Sequence, residues 1–398
     1  MMRRDNGFSI IELMVSLTIL LIVVAAVTTA LIQAQQVSNG IAMQANTQEN
    51  LRAGMHFLVR DLTQAGEGIP QAGISVPVSA AGTSLINRPG TGGTFPTAYT
   101  VLPQVTPGWE LGQLALTLNP QTGAVLNGGL ATDVINVLYA DNTLTSSAPC
   151  VLGAVTLCPM SGLPVTIAAT VGPPATPACT GAINATGLTV RFDPACFTMP
   201  GSPVPISVGN LLMFQNANGT ALEYVTGVAG QTVTFSAGDP AGLNQTGKPG
   251  GTVAQLNVAA TPTTVTRVWM VSYYIDSTNP QDPQLVRQVN YPNYPSAAAA
   301  VNPPQQVADC IENLSFSYDV ITNTPGIYGA VGPGDATQPL APDTPFNIRA
   351  VNVTIAGRSE YPFHSSAAPQ YFRNNLSTQV SIRSLAFVNQ FPTPAPLP

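Results

Sequence analysis

Apolar positions follow three regimes along this chain. From Leu13 to Ile32 twenty positions pass without a charge, and the polar side chains among them are the hydroxyls Ser16, Thr18, Thr28 and Thr29. A helix needs about 20 such residues to cross ~30 Å of hydrocarbon, and hydroxyls can bond back to their own helix. Leu13, Leu17, Leu21, Val24, Val27 and Ile32 are the expected transmembrane residues. From Leu51 the spacing changes. Leu51, Met55, Leu58 and Leu62 recur at intervals of four, three and four, the stripe of an amphipathic helix. Beyond Gly66 the chain breaks into short β-type runs punctuated by Gly, Pro and Asn, which read as strands and turns.

Residues 33–48 contain neither charge nor proline, and Val37 and Ile41 keep a helical spacing. One helix is therefore predicted from Phe8 to Ala65, 58 residues or ~87 Å at 1.5 Å per residue. It stops there because Gly66, Gly68 and Pro70 follow. Residues 8–32 form its transmembrane half and 33–66 its amphipathic half, whose stripe should pack on a head. Arg52, Arg60 and Asp61 are expected to point away from that contact. Gly40 and Gly54 are the soft points.

In the remainder, strands are predicted at Asp133–Ala140, Ile206–Phe214, Ala221–Val228, Thr232–Phe235, Thr264–Ile275, Gln284–Val289, Ile311–Val320, Phe346–Ala356 and Gln379–Val388. Thr264–Ile275 and Gln284–Val289 should form a hairpin, and the shorter runs between 206 and 235 a meander. An apolar run also occurs at Leu111–Leu118. The fold class is thus α+β: a long N-terminal transmembrane and amphipathic helix on a large antiparallel β-rich head spanning 67–398. Residues 145–205, rich in Pro and Cys, look like an insertion in that head.

Composition narrows the function classes. Charged residues are only 8% and the net charge is −6, which excludes a nucleic-acid surface. High Gly and Pro (35 and 37 residues) suit β structure with long loops outside the cytoplasm. There the candidate disulfide cysteines Cys150, Cys158, Cys179 and Cys196 could pair, nearest neighbours first. Cys310 is then left over and is expected buried and free. No C-x-x-C occurs and there are two histidines, so no metal or cofactor is expected. No G-x-S-x-G, H-E-x-x-H or phosphate-binding loop is present, and Gly247-Lys248 runs into Pro249. His56 falls in the helix, so a catalytic triad would rest on His364 alone. Asp335 and Asp343 lack the regular spacing of a calcium loop. Tyr273, Tyr274, Tyr291 and Tyr294 lie close in sequence and read as strand packing. An enzyme is not expected.

Glu12 remains. A carboxylate inside an apolar helix costs about 2.5–3.5 kcal/mol at the centre of a bilayer and is a functional candidate by default. If the chain is cut after Gly7, Phe8 presents a free amine four residues before Glu12, and the carboxylate offsets a positive charge that the helix dipole disfavours. Snorkelling of Glu12 to the headgroups is the plainer reading, but it leaves Gly7-Phe8 unexplained. Arg3 and Arg4 precede the run and keep the N-terminus cytoplasmic. No two alanines between residues 20 and 40 stand two apart, so an A-x-A secretory cleavage site is absent there.

The leader and Gly7-Phe8-Ser9-Ile10-Ile11-Glu12-Leu13-Met14-Val15-Ser16-Leu17 resemble the class III signal of type IV pilins and pseudopilins. That resemblance implies a leader at 1–7 and cleavage between Gly7 and Phe8 by a prepilin peptidase, which also methylates the new amine. It implies subunit docking through Glu12 and Phe8. Arg60-Asp61-Leu62-Thr63-Gln64-Ala65-Gly66 is similar to the helix end of the minor pilins often called PilW-like. The resemblance implies other minor and major pilins and an inner-membrane assembly platform as partners. It places the chain in the inner membrane with a periplasmic head, then in the pilus fibre or tip. The alternatives are a minor pseudopilin of a type II secretion system, a signal-anchored periplasmic enzyme, and an adhesin head.

Overall fold

The long helix runs from Ile10 to Gln64, 55 residues or ~82 Å, without a break at Gly40 or Gly54. This computed structural model describes residues 9–82, 85–89, 95, 100–113, 131–141, 151–152, 155–156, 163–166, 182–183, 188–191, 206–230, 232–245, 247–248, 250–256, 262–279, 282–291, 302–321, 328–331, 345–362 and 371–386. Ala65 caps the helix, and its N–H returns to the Leu62 carbonyl at 3.2 Å. Gly66 follows at φ +76°, a left-handed conformation that glycine adopts without a Cβ penalty. Its N–H then bonds the Leu138 carbonyl at 2.7 Å, so the helix end is tied to a strand.

Two antiparallel sheets form the head's main core. The first contains β1 (Val105–Gly108), β2 (Val134–Ala140), β3 (Leu211–Asn216), β4 (Gly219–Tyr224), β5 (Pro262–Asp276), β6 (Gln284–Val289) and β7 (Gln305–Ala308). Strand β5 is its axis. One side of β5 pairs β3 and then β6, and the other pairs Leu163–Thr166 and then β2. The outer neighbours are β4 on β3, β1 on β2 and β7 on β6. The second sheet is Tyr328–Val331, β8 (Ile311–Ile321), β9 (Ile348–Arg358) and β10 (Arg373–Ser381), in that order.

Strand β5 shows why its sequence lacks clean alternation. Val271, Tyr273 and Ile275 face the helix, while Val268 and Met270 face a second core with Leu138, Leu211 and Tyr224. A strand buried on both faces reads as a continuous apolar run. The second sheet has one wet face. Ser315, Thr354 and Ser377 form one outward row and Ser317, Asn352 and Gln379 the next, the usual polar side of an antiparallel sheet. A third core joins Leu212 and Phe214 of β3 to Val190, Val233 and Phe235. Strands from 163–166 and 189–191 are thereby woven into the head.

Hairpin β5–β6 forms, with Asp276 opposite Gln284, and β3–β4 closes over a two-residue turn between Asn216 and Gly219. Several boundaries differ from the sequence reading. The strand expected from Ile206 begins at Leu211, because Ser207–Asn210 is a turn held by the Asn210 side chain at 3.0 Å. The Ala221–Val228 strand divides: β4 ends at Tyr224, and Gly227–Ala229 pairs Thr232–Thr234 in a separate small sheet. Among the described residues the last strand is Arg373–Ser381, where Gln379–Val388 was expected. As an edge strand with a polar outer face it carries few apolar residues. The apolar Ile382 instead precedes a helical turn, Arg383–Ala386, which holds Leu385 and returns the Leu385 N–H to the Ile382 carbonyl at 3.1 Å; both side chains are buried. Most of the Leu111–Leu118 run lies outside the described residues.

Candidate assembly interface

Three groups of residues make up the candidate site: the N-terminal signal, the exposed helix, and the joint that fixes the helix to the head. Residue Ser9 opens the helix, and its N–H donates to Glu12 Oε2 at 3.4 Å. That reach-back satisfies one of the four N–H groups a helix start leaves without partners. Gly7 and Phe8 lie outside the described residues.

The helix then projects free of the head. Leu13, Leu17, Leu21, Val24, Val27 and Ile32 are between 49% and 60% exposed. Thr18, Thr28 and Thr29 return their hydroxyls to the Val15, Val24 and Ala25 carbonyls at 2.8 Å, and Ser16 does so to Leu13 at 2.9 Å. With those donors satisfied internally, the surface offered is apolar, and the segment is long and apolar enough to cross a membrane.

Burial begins at Thr47 and continues through Leu51, Gly54, Met55, Leu58, Asp61 and Leu62. Leu51, Met55, Leu58 and Leu62 enter one core with Val271, Tyr273 and Leu285 of the first sheet and Ile311, Val353 and Ile355 of the second. Gly54 is a contact point, not a soft one. A Cβ there would stand 2.9 Å from Leu285 Cδ2 and 3.2 Å from Ala308 Cβ, so the missing side chain lets helix and sheet approach.

Asp61 departs from the sequence reading most. It is fully buried. Its Oδ2 accepts from Tyr273 Oη at 2.7 Å and from Arg287 Nε at 2.6 Å, and Arg60 Nε reaches Oδ1 at 3.2 Å. Asp61 stands three residues past Leu58, on the flank of the stripe, and the buried face is wide enough to include it. Burial, then the Asp61 charge, pushes the Tyr273 hydroxyl up and Tyr139 to about 12. Burial works against the Arg287 charge, but Asp61 more than offsets it and holds the guanidinium above its ordinary value. Arg52 and Arg60 do face outward. His56 is exposed and meets Phe57 edge-on at 6.1 Å.

Beside helix residues 43–50 lies a cleft of about 680 Å³, reaching Asp282, Asp309, Cys310, Arg358, Glu360 and Tyr361. Burial and then Asp282 hold the Cys310 thiol at about 12, so it stays protonated and unreactive. Burial, then Asp282 and Glu360, raises Asp309. Among the described residues no three His, Cys, Asp or Glu side chains are placed to hold a metal. The four cysteines Cys150, Cys158, Cys179 and Cys196, with Asp335, Asp343, His364 and Tyr294, lie outside the described residues. The other tyrosines separate: Tyr273 joins the helix core, Tyr274 packs with Val134 and Val286, and Tyr291 meets Tyr224.

The family model for the prokaryotic N-terminal methylation motif matches residues 2–28. The chain carries the N-terminal signature of type IV pilins and pseudopilins. No curated protein and no solved structure matches it. In a pilin-type subunit the apolar helix and the prepilin motif fit a membrane anchor, and the motif implies processing by a prepilin peptidase and assembly with other pilins. The rest of the geometry is a docked helix end on a two-sheet head, an α+β arrangement of pilin type. The residue that sequence reasoning missed is Asp61. Its signal was present, since a carboxylate three residues from Leu58 and one from Leu62 borders the stripe.

Proposed function

We propose that this chain is a minor type IV pilin of the PilW-like kind, acting in the initiation of pilus assembly or as a cap at the pilus tip. It is made as a prepilin, cut after Gly7, methylated on Phe8, and held in the inner membrane with its head in the periplasm. The inner-membrane platform then adds it beside other minor and major pilins. The work is packing and electrostatics: apolar helices bundle, and Glu12 meets the Phe8 amine of a neighbour in a medium where an unpaired charge is costly. The size of the head favours a tip or low-copy position over every step of a narrow filament.

The motif match over residues 2–28 carries this reading. It is tested by intact mass and N-terminal sequencing of the membrane-extracted protein from cells with and without the prepilin peptidase. A mature chain beginning at N-methylated Phe8, dependent on the peptidase, is expected. Retention of Met1 or Met2 in peptidase-positive cells would overturn it.

A further inference from the structure

Asp309 and Cys310 make the short connection from β7 to β8, where the chain passes from the first sheet to the second. Cys310 turns at φ +53°. Its carbonyl accepts from the Arg358 N–H at 2.9 Å, and the Ile311 N–H returns to the Pro283 carbonyl at 2.8 Å. The turn is thus pinned on both sides. It lines the cleft of about 680 Å³, together with the helix between Met43 and Asn50 and the chain from Arg358 to Pro362.

Negative charge is concentrated there. Only 8% of the chain is charged, yet Glu49, Asp282, Asp309 and Glu360, four of its 19 acidic residues, line this one cleft. Arg358 is the one cation among the described lining residues, and it is engaged elsewhere. Its Nη1 reaches Glu312 Oε1 at 3.3 Å, and its guanidinium stands over the Tyr371 ring, 4.5 Å from the centroid. Asp282 accepts from the Cys310 N–H at 3.3 Å and from Gln284 Nε2 at 3.1 Å. Asp309 differs: its Oδ1 is buried and accepts no hydrogen bond, which is costly for a polar atom out of water. Burial, then the charges of Asp282 and Glu360, raises Asp309. The cleft gathers more negative charge than its own groups offset.

A positively charged donor would complete it. Among the described residues no three carboxylates converge as metal ligands do, and their spread over the cleft suits a larger cation with several N–H groups. Tyr361, 60% exposed, adds an aromatic ring to the lining, a surface that attracts ammonium and guanidinium heads. The chain has little of its own to supply. It holds a single lysine, Lys248, and Arg267, Arg287, Arg358 and Arg373 are already in ion pairs. We propose that this cleft binds an organic cation, an alkylammonium or guanidinium head, received by Asp309 and Glu360 beside the Tyr361 ring. The head belongs to a small free amine or to a lysine or arginine side chain of another protein. This inference stands apart from the processing and assembly proposed above.

The test titrates n-butylammonium and n-butylguanidinium into the full-length protein in neutral detergent at low ionic strength, with n-butanol as the uncharged control. Both cations should raise the melting temperature progressively with concentration, and butanol should not. Asp309→Asn with Glu360→Gln should weaken the apparent affinity about tenfold or more, since hydrogen bonds to charged groups are the strong ones. Tyr361→Ala, at an exposed position that the fold does not need, should weaken it as well. Glu67→Gln, an exposed carboxylate outside the cleft, should leave it unchanged. No response to either cation, an equal response to butanol, stabilisation by calcium chloride in their place, or parental affinity in both cleft variants would overturn the proposal. A photo-crosslinking residue at Tyr361, irradiated in the protein's own membranes, separates the two sources. An adduct mapped to a lysine- or arginine-bearing peptide assigns a side chain, and cation binding without an adduct assigns a free amine.

Discussion

At Asp61 a carboxylate sits out of water between the helix and the first sheet, held by Tyr273 and Arg287 at 2.7 and 2.6 Å. Removing one partner of a buried pair leaves the other charge without compensation, and that loss is about 3–5 kcal/mol. Asp61→Ala should lower the stability of the detergent-extracted protein by that amount in chemical denaturation. The combined Asp61→Leu, Tyr273→Phe, Arg287→Met change should recover most of it, since apolar replacement of a whole buried pair is often neutral. A single variant as stable as the parent would show that the pair contributes nothing. Asp61 could be suspected from the stripe's edge, but its partners stand 212 and 226 residues away in sequence. No local pattern names a partner at that distance.

The helix comes close to both sheets at Gly54, where a Cβ would meet Leu285, Ala308 and Ile355. Adding one methyl there brings two opposed effects. Alanine gains ~1 kcal/mol of helix propensity over glycine. It also presses on Leu285 Cδ2, the movable end of a side chain, and on Ala308. Gly54→Ala should therefore be close to neutral. Gly54→Leu overfills the joint and should cost about 1–3 kcal/mol or more, read as a lower melting temperature. A Gly54→Leu protein that melts with the parent would place the helix farther from the sheet than it is here. From sequence, Gly54 reads as a weak point because glycine is flexible in isolation. Its use as an approach surface depends on Leu285 and Ala308. The final strand was misplaced for a related reason: Ile382 and Leu385 are three apart, a helical spacing inside a run that otherwise reads as extended.

At the scale of the whole molecule, burial raises three buried carboxyls among the described residues. Burial raises Asp133 and Asp239 above the ordinary 3.8 and Glu223 well above 4.5, each against hydrogen bonds from backbone N–H groups. A carboxyl raised on folding makes the folded state bind the proton more tightly. Its stabilisation is complete below the unfolded value and is lost as pH rises through the folded one. Glu223, which accepts from the Val253 N–H at 3.0 Å, should dominate. Melting temperature of the solubilised protein should fall as pH rises above the ordinary glutamate value of 4.5. In Glu223→Gln, whose amide oxygen can keep the Val253 bond, the fall should be shallower. Identical slopes for the two proteins would rule Glu223 out as the source.

The sequence alone determined the chain's linear features. Twenty charge-free residues after Glu12, the stripe from Leu51 to Leu62 and the glycines after Ala65 fix a long helix, because helix period, capping and membrane thickness are local quantities. The signal around Gly7 to Leu17 is local too, and it lies within the matched N-terminal methylation motif. Several central strands, among them Asp133–Ala140, Gln284–Val289 and Ile311–Val320, were also legible, being bounded by turn residues. The tertiary structure decided what meets across distance: the order of strands around β5, the burial of Asp61, the close approach at Gly54 and the point on the helix, Thr47, where burial begins. Each depends on which surfaces come together when apolar area is removed from water, and that choice is made over hundreds of residues.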